Sequence, residues 1–371
     1  MVTSVFLCTN QDATKRGRQV LSAVSNQSTF EISLAGPGQQ ALWDAYVLQH
    51  SSATHCHRWG WKTVIENAFR IPTYYLLATE QGKAVGVLPL AWQKSMLFGS
   101  FITALPFLNA GGPLADSVVI EQALVERAIQ IAKDNGAARL QLRYRGDYRL
   151  ALPSSAHKVA AVRPVSRDTE AMWKALNSNN RRKVNKATKS GMTAAPESAA
   201  ALDIFYELFA DNMRNLGTPV YAKALFAEVL KAFSQDTEII IVRLEGKPIA
   251  AGFLISFRDG MEATWMCSDY RYLSLQPNML LYWTILRVAG ERGFASLDFG
   301  RSTRDSGTHK FKQLWDTSDV PLPWASWTKN GEAPSELSPA NPKFQLATWA
   351  WKKLPLAFAN LIGPHIVRNL P

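Results

Sequence analysis

The same order of helices and strands occurs twice along this chain, and this repeat limits the fold more than any other feature. In each half, two helical stretches precede a strand, a polar turn containing Gly-Lys and a second strand. A helix that ends at Gly then leads into a further strand. The two turns, at residues 80–83 and 245–247, lie 164–165 residues apart. The repeat predicts two copies of one α/β unit rather than two unrelated domains.

The repeat and the character of the chain ends predict four parts. Residues 1–28 are polar and mixed in sequence, and we expect them to be partly disordered. Residues 29–157 and 158–330 each hold one copy of the unit, which we expect to be a mixed, largely antiparallel sheet flanked by helices. Residues 331–371 are apolar and aromatic, and their two internal prolines prevent one long helix.

The composition excludes several classes of protein. The chain is 47% apolar and 19% charged, unlike a disordered, collagen-like or coiled-coil chain. Its three cysteines are far apart in sequence, which argues against a disulfide framework and a CxxC metal site and favours a cytoplasmic setting. Residues 95–115 carry no charge, but their prolines and glycines favour buried strands joined by a turn over a membrane span. The net charge of +11 favours anionic partners.

Several short motifs make the chain similar to a known family. They are residues 86–90 and 105–116 in the first unit, and residues 181–191, 212–221, 298–303 and 307–312 with Trp315 in the second. The repeated unit resembles the acyltransferase fold of the GNAT superfamily. The pair resembles FemAB-like aminoacyltransferases, which build peptidoglycan cross-bridges. Similarity is greater still to the FemAB-related proteins found beside exosortase (PEP-CTERM) and exopolysaccharide gene clusters.

This resemblance implies two tandem GNAT-like acyltransferase domains, of the α/β (α+β) class, with the site on the second. It implies an acyl or aminoacyl transferase that forms an amide on an amine of a cell-envelope or exopolysaccharide precursor. The family's substrates are phosphorylated precursors or tRNA, so a phosphorylated envelope precursor is the expected partner, tRNA is a second one, and DNA is not expected. The expected location is the cytoplasm, at the inner face of the membrane if the C-terminal tail contacts lipid rather than docking on the domains.

The run at residues 181–189 holds five cations in nine residues. Arg182, Lys186 and Lys189 fall on one helix face, where they can bind phosphates or form an ordinary solvated surface. The family motif lies at this run and so favours phosphate binding. The substrate-binding residues that the two basic motifs indicate are Arg181, Arg182, Lys183, Lys186, Arg214 and Tyr221.

Phe311 and Lys312 match a Phe-Lys pair that family members carry in the acceptor site. A fixed lysine cation near the developing oxyanion of amide formation would contribute roughly 2.7–4 kcal/mol; the alternative is an ordinary surface lysine. Lys310 is expected to share a strand face with Lys312. Asp298, at the end of a predicted strand, could accept a proton from the attacking amine or cap a turn. The remaining residues predicted to bind substrate are Arg301, Ser302 and Thr303.

The chain departs from simple GNAT enzymes at the loop that binds the pyrophosphate of acetyl-CoA. That loop has a glycine pattern before a helix, whereas residues 270–278 contain no glycine. We therefore expect no permanently bound cofactor, and aminoacyl-tRNA or another activated acyl group as donor in preference to acetyl-CoA. No metal is expected, because His55-Cys-His57 is more typical of a structural turn than of a metal site.

Two other functions fit the same residues. The first is a CoA-dependent N-acyltransferase that acts on an amino sugar of an exopolysaccharide. The second is a non-catalytic, anion-binding component of a polysaccharide export system, which would need the basic helix but not Lys312.

Overall fold

The computed structural model describes residues 30–95, 99–331 and 342–370. The predicted disorder of residues 1–28 concerns a segment outside these ranges. Within them the strands are β1 (Glu31–Leu34), β2 (Thr73–Glu80), β3 (Lys83–Ser95), β4 (Gly99–Thr103), β5 (Leu114–Ala115), β6 (Arg139–Arg143), β7 (Ser154–Ser155), β8 (Lys158–Pro164), β9 (Met192–Glu197), β10 (Thr237–Leu244), β11 (Lys247–Phe257), β12 (Gly260–Ser268), β13 (Ser296–Thr303), β14 (Ser318–Pro321) and β15 (Trp324–Thr328).

The helices of the described residues alternate with these strands. They are α1 (Gln40–Gln49), α2 (Gly60–Phe69), α3 (Val118–Asp134), α4 (Thr169–Ala175), α5 (Ser178–Lys189), α6 (Leu202–Leu216), α7 (Lys223–Ala232), α8 (Pro277–Glu291), α9 (Gly307–Gln313), α10 (Pro342–Lys353) and α11 (Leu356–Val367). The helix predicted to end at Gly in each copy is α3 in the first and α8 in the second, and they end two residues before Gly136 and Gly293. Local signals explain this agreement: the Ser117 side chain accepts a hydrogen bond from the Ile120 amide at the start of α3.

The strands form two sheets of similar design. The first has the order β1-β2-β3-β4-β6-β15-β7, with β5 beside β3, and the second has the order β14-β8-β13-β12-β11-β10-β9. Each sheet is mostly antiparallel and contains one parallel pair, β4 with β6 and β12 with β13. The predicted class of two mixed, largely antiparallel sheets flanked by helices is confirmed.

One strand crosses between the two units. β15 follows the second sheet in sequence, but it pairs antiparallel with β6 and β7 of the first sheet. The first sheet is therefore built from two stretches of chain that flank the second sheet in sequence.

One of the buried hydrophobic clusters joins the two units. Trp43 and Trp61 of the first unit lie in the same buried cluster as Phe205 and Phe253 of the second. The Trp61 and Phe233 rings are 5.2 Å apart between centroids. Because aromatic side chains of this size dominate core energetics, this contact fixes the two sheets relative to each other.

The C-terminal helices dock on both units. Both α10 and α11 contact α6, and the Gln93 side-chain amide of β3 donates to the carbonyl oxygens of Arg368 and Leu370 at 3.0 Å each. Pro355 separates the two helices, whereas Pro364 lies inside α11. In the described part of the chain, no helix has the length and apolarity needed to cross a membrane.

Candidate active site

The two parallel strands of the second sheet separate part-way along their length. β12 and β13 pair from Gly260 with Ser296 to Glu262 with Asp298, and no register pair follows beyond that point. A cavity of about 280 Å³ lies where the strands diverge. Its lining includes Phe107, Asn109, Tyr221, Thr264, Trp265, Tyr282, Phe299, Gly300, Arg301, Thr308 and Lys312. Both units contribute to this lining.

Lys312 is buried, and two backbone oxygens fix its amino group. Its Nζ donates to the carbonyl oxygens of Gly300, at 2.8 Å, and of Arg301, at 3.0 Å. A lysine ammonium has three protons, so one remains for a group bound in the cavity. Gly300 has a φ of +77°, and a Cβ there would lie 3.0 Å from the Ala263 carbonyl oxygen. Glycine is therefore required at the turn that supplies the first acceptor.

Lys312 lies on helix α9 and not on a strand, so the prediction that Lys310 shares its face is wrong. Residues two apart on a helix point in different directions, and Lys310 is exposed while Lys312 is buried. The helix begins at Ser306, whose side chain accepts a hydrogen bond from the His309 amide. Buried His309 also hydrogen-bonds to Asp319 at 2.9 Å. These contacts hold α9 in place.

Burial lowers the pKa of Lys312 to about 8. The carboxylates of Asp298 and Glu262 oppose this shift, and the Arg301 cation adds to it. The amino group is therefore a cation at neutral pH and loses its charge within a range that an enzyme assay can reach.

Two arginines lie on Trp324 of β15 beside the cavity. The guanidinium carbons of Arg143 and Arg301 are 4.5 Å and 4.8 Å from the Trp324 ring centroid, close enough for cation–π attraction. Arg301 is solvent-exposed and lines the cavity, whereas Arg143 is buried. Burial lowers the pKa of Arg143 to about 9, and the nearby Arg301 adds to that effect. The concentration of positive charge suits an anionic ligand.

Arg143 also holds a loop of the first unit over the cavity. Its guanidinium donates to the Leu108 carbonyl oxygen at 2.8 Å. Phe107 in this loop has a φ of +72°, an unfavourable conformation for an aromatic residue that is most often found at functional sites. The Phe107 ring packs between those of Phe69 and Tyr221, with centroids 4.4 Å and 5.5 Å away.

Two buried carboxylates lie where β12 and β13 diverge, and each is bound by side chains of the first unit. Glu262 accepts hydrogen bonds from His55 Nε2 at 3.0 Å and Asn109 Nδ2 at 2.8 Å. Asp298 accepts from Arg145 at 2.6 Å and from the Gly300 amide at 2.7 Å. The first unit therefore contributes directly to the shape of the site in the second.

The pKa values in this cluster diverge. Burial opposes a charge on His55, but neighbouring Cys56 and Glu262 together raise the pKa of His55 to about 10. Burial favours the neutral form of Glu262, but His55, Arg145 and Asn109 outweigh it and lower the pKa of Glu262. Burial raises the pKa of Asp298 against the opposing effect of Arg145, and the Glu262 charge adds to the rise. Glu262 is thus the carboxylate that carries the charge most readily.

The structure brings Lys312, Arg301 and Tyr221 to one cavity, but Asp298 lies behind it. Asp298 lines a neighbouring cavity of about 150 Å³ together with His55 and Arg145. Thr303 accepts from Lys158 Nζ at 2.6 Å, and the Phe311 ring lies 5.3 Å from that of Tyr282. Ser302 is buried, and its hydroxyl has no hydrogen-bond partner among the described residues.

The basic helix lies apart from the cavity. Arg181, Arg182 and Lys186 line an open groove of about 590 Å³ along α5, which Asn185, Lys189 and Ser190 continue. Lys186 donates to the Ser274 carbonyl oxygen at 3.0 Å, just before α8. Lys183 does not line this groove. Arg214 forms an ion pair with Asp211 at 2.7 Å on α6.

Sequence reasoning missed the residues of the first unit that surround the site. Asn109 lies inside a motif that the resemblance uses, and His55 lies in the conspicuous His-Cys-His turn. Arg143 and Arg145 mark the end of β6. Among the described residues, no group of three or more His, Cys, Asp or Glu side chains is arranged to hold a metal ion.

Residues 175–313, which include α5, the diverging strands and Lys312, match the family model of the acetyltransferase (GNAT) domain. This stretch is a GNAT acetyltransferase domain. The match confirms the prediction that the chain is an acyltransferase. The match covers less than half of the chain. It supports the GNAT superfamily and not the PEP-CTERM subgroup in particular.

Solved structures share the fold over most of the chain. The crystal structure of FemX has a TM-score of 0.60 at 14% identity, covering 86% of this chain and 100% of its own. The C-terminal domain of a candidate lysylphosphatidylglycerol synthetase from Agrobacterium fabrum has a TM-score of 0.53 at 12% identity, covering 84% and 94%. A tandem GNAT protein from the clavulanic acid biosynthesis pathway has a TM-score of 0.50 at 10% identity, covering 83% and 100%. No curated protein sequence matches significantly.

Proposed function

We propose that the chain transfers an acyl or aminoacyl group to an amine of a phosphorylated cell-envelope or exopolysaccharide precursor. The observation that carries this proposal is the fixed Lys312 ammonium, which keeps one proton for a ligand in the cavity of a GNAT acetyltransferase domain. The predicted FemAB-like character and the fold shared with FemX support an envelope acceptor. The name of the Agrobacterium protein adds support for aminoacyl transfer.

In the proposed reaction, the amine nitrogen bonds to the carbonyl carbon of an activated ester, and the ester C–O bond then breaks. The carrier leaves as its alcohol, with the proton that the nitrogen loses. Negative charge develops on the carbonyl oxygen, and the remaining N–H of the Lys312 ammonium donates a hydrogen bond to that oxygen. Arg301 offers a second cation for an anionic part of the substrate.

Asp298 has a positioning role in this proposal. Its carboxylate holds the Gly300 amide and Arg145 rather than facing the cavity. Because Gly300 supplies one of the two oxygens that fix Lys312 Nζ, Asp298 stabilises the turn on which the lysine depends.

The turn before α8 supports a donor other than CoA. Simple GNAT enzymes bind pyrophosphate with backbone amides at this place. Here the first helical residue is Pro277, which has no amide proton. The backbone amides of Met279 and Leu280, two and three residues after Pro277, donate hydrogen bonds to the Gln276 carbonyl oxygen. Aminoacyl-tRNA or a similar activated ester is therefore the proposed donor, with the α5 groove as the proposed phosphate-binding surface.

Mass spectrometry of the envelope polymer tests the proposed function. Cells that lack the chain should lose an acyl or aminoacyl mass, and cells with Lys312→Ala should show the same loss. Exposed Lys310 on the same helix provides the matched control, so cells with Lys310→Ala should keep that mass. An unchanged polymer would contradict the proposal, and an export component without catalysis would not need Lys312.

The second candidate is a CoA-dependent N-acyltransferase, which the match to an acetyltransferase family favours. Calorimetric titration with acetyl-CoA separates the two. We expect no binding in the micromolar range, because Pro277 has no amide proton and the amides of Gln276, Met279 and Leu280 already have acceptors. A clear micromolar isotherm would place this second candidate first.

A further inference from the structure

Large apolar side chains project into solvent from both C-terminal helices. Leu346 and Trp349 on α10 expose 66% and 61% of their surface, and Phe358 and Leu361 on α11 expose 50% and 66%. Each pair is spaced three residues apart and so shares one helix face. Large apolar side chains exposed this close together in the chain are typical of an interaction surface on a folded protein. We refer to these four residues as the tail face.

The opposite side of each helix is fixed to the protein. Thr348 of α10 lies beside Gly217 at the end of α6, and Gly363 of α11 lies against the Val220 backbone. Ala359 and Val367 are buried. The tail face therefore points outward because the inner side of each helix already has its partner.

Charge on the tail selects the partner. Residues 342–370 contain four Lys or Arg and no Asp or Glu. Lys352 and Lys353 are exposed at the junction between the two helices. Lys353 follows Trp349 of the tail face by one helical turn, whereas the Lys352 stem passes beside Gly217. Apolar residues with an amphipathic Trp beside lysines match a lipid interface whose headgroups are anionic.

We propose that the tail face docks the protein on the surface of an anionic phospholipid membrane. The two tail helices have 12 residues each, about 18 Å of helix, too short for a hydrocarbon core of about 30 Å. In this proposal the two helices therefore lie in the headgroup region and do not cross the hydrocarbon core. This docking does not depend on which acyl group the site transfers.

Vesicle flotation of the full chain tests the proposal. The protein should float with phosphatidylcholine vesicles that contain phosphatidylglycerol, and bind at least about tenfold more weakly to phosphatidylcholine alone. Trp349→Ser with Leu361→Ser should abolish flotation. Lys352→Glu with Lys353→Glu should weaken binding by about tenfold or more and reduce its dependence on salt.

Matched control variants distinguish binding through the tail face from nonspecific hydrophobic or electrostatic binding by other parts of the surface. Leu48→Ser with Val119→Ser removes two apolar side chains that are 58% and 67% exposed elsewhere, and should leave flotation intact. Lys83→Glu with Lys231→Glu makes the same charge change on exposed residues of other elements, and should also leave it intact. Circular dichroism verifies that each variant is folded.

Three results would overturn the proposal. The first is no flotation of the unaltered protein with either vesicle. The second is flotation that the tail variants leave unchanged. The third is a dimer in light scattering that Trp349→Ser with Leu361→Ser dissociates, since a second copy of the chain would then be the occupant of the tail face. Polymer modification that persists without flotation would overturn the docking alone, whereas flotation without modification would overturn the proposed function alone.

Discussion

At the scale of single residues, Lys312 shows how burial changes what a common side chain can do. The Gly300 and Arg301 carbonyl oxygens hold its amino group, and burial lowers its pKa to about 8. A lysine in water keeps its proton to a pH above 10. This side chain is therefore a fixed cation whose charge responds to pH near neutrality.

The charge on Lys312 predicts a pH profile. The group is protonated below its pKa and neutral above it, so kcat/KM for amide formation should fall as pH rises through about 8. Lys312→Arg should move this fall to higher pH, because guanidinium keeps its proton. The measurement is initial rate against pH, with the acceptor identified by mass spectrometry. A fall that stays near pH 8 in Lys312→Arg would assign the profile to another group.

The contact between His55 and Glu262 predicts a large coupling energy. Both side chains are buried, so His55→Ala leaves the Glu262 carboxylate without its main partner, and the free energy of unfolding should fall by about 3–5 kcal/mol. Urea unfolding measures this change. The double variant His55→Ala with Glu262→Ala should lose less than the sum of the single changes. His50→Ala is the control, since His50 is only half-buried and its ring makes two long hydrogen bonds, with the Ala115 carbonyl oxygen at 3.4 Å and from the Ser52 amide at 3.3 Å.

At the scale of elements, local patterns predicted most of the helices and strands. The hairpin of β2 and β3 follows from two apolar runs around a Gly-Lys turn. Helix α9 escaped prediction because seven residues with little apolar periodicity carry no helical signal. Its stability comes from Ser306 at its start and from buried His309, whose partner Asp319 lies ten residues away.

The site was predictable only where short sequence motifs contained its residues. Arg301 and Lys312 belong to two adjacent motifs of the second unit, and the structure places them beside one cavity. His55 and Arg145 reach the carboxylates from the first unit across 207 and 153 residues of chain. No local pattern encodes such contacts, because they depend on how the two sheets pack.

The basic face of α5 predicts how binding responds to salt. Arg182 and Lys189 line the open groove. Replacing both with Ala should therefore weaken the binding of deacylated tRNA, which carries no amino acid. The slope of log affinity against log salt concentration is negative, and its magnitude should become smaller by about 1–2 because two phosphate contacts are lost. Fluorescence titration at several salt concentrations provides the slopes. Lys83→Ala with Lys231→Ala is the control, and equal slopes in all three proteins would contradict a role for α5.

At the scale of the whole molecule, the shared aromatic core predicts one cooperative unfolding transition. Phe233 is 2% exposed and contacts Trp61 of the other unit, so Phe233→Ala should cost about 3–5 kcal/mol and lower the stability of both units together. Differential scanning calorimetry should show a single peak that moves to lower temperature. Val119→Ala, at an exposed position, should leave the peak in place. Two resolved peaks would indicate that the units unfold independently.

The return of β15 to the first sheet has a consequence for how the protein is made. Arg143 at the end of β6 and its partner Trp324 are 181 residues apart in the chain, so the ribosome completes the second sheet before it delivers β15. During that interval β6 keeps an unpaired edge that can recruit a foreign strand. The first unit thus reaches its final form only after the second has been synthesised. A gene fusion that exchanged the second unit would therefore also have to supply a strand to replace β15.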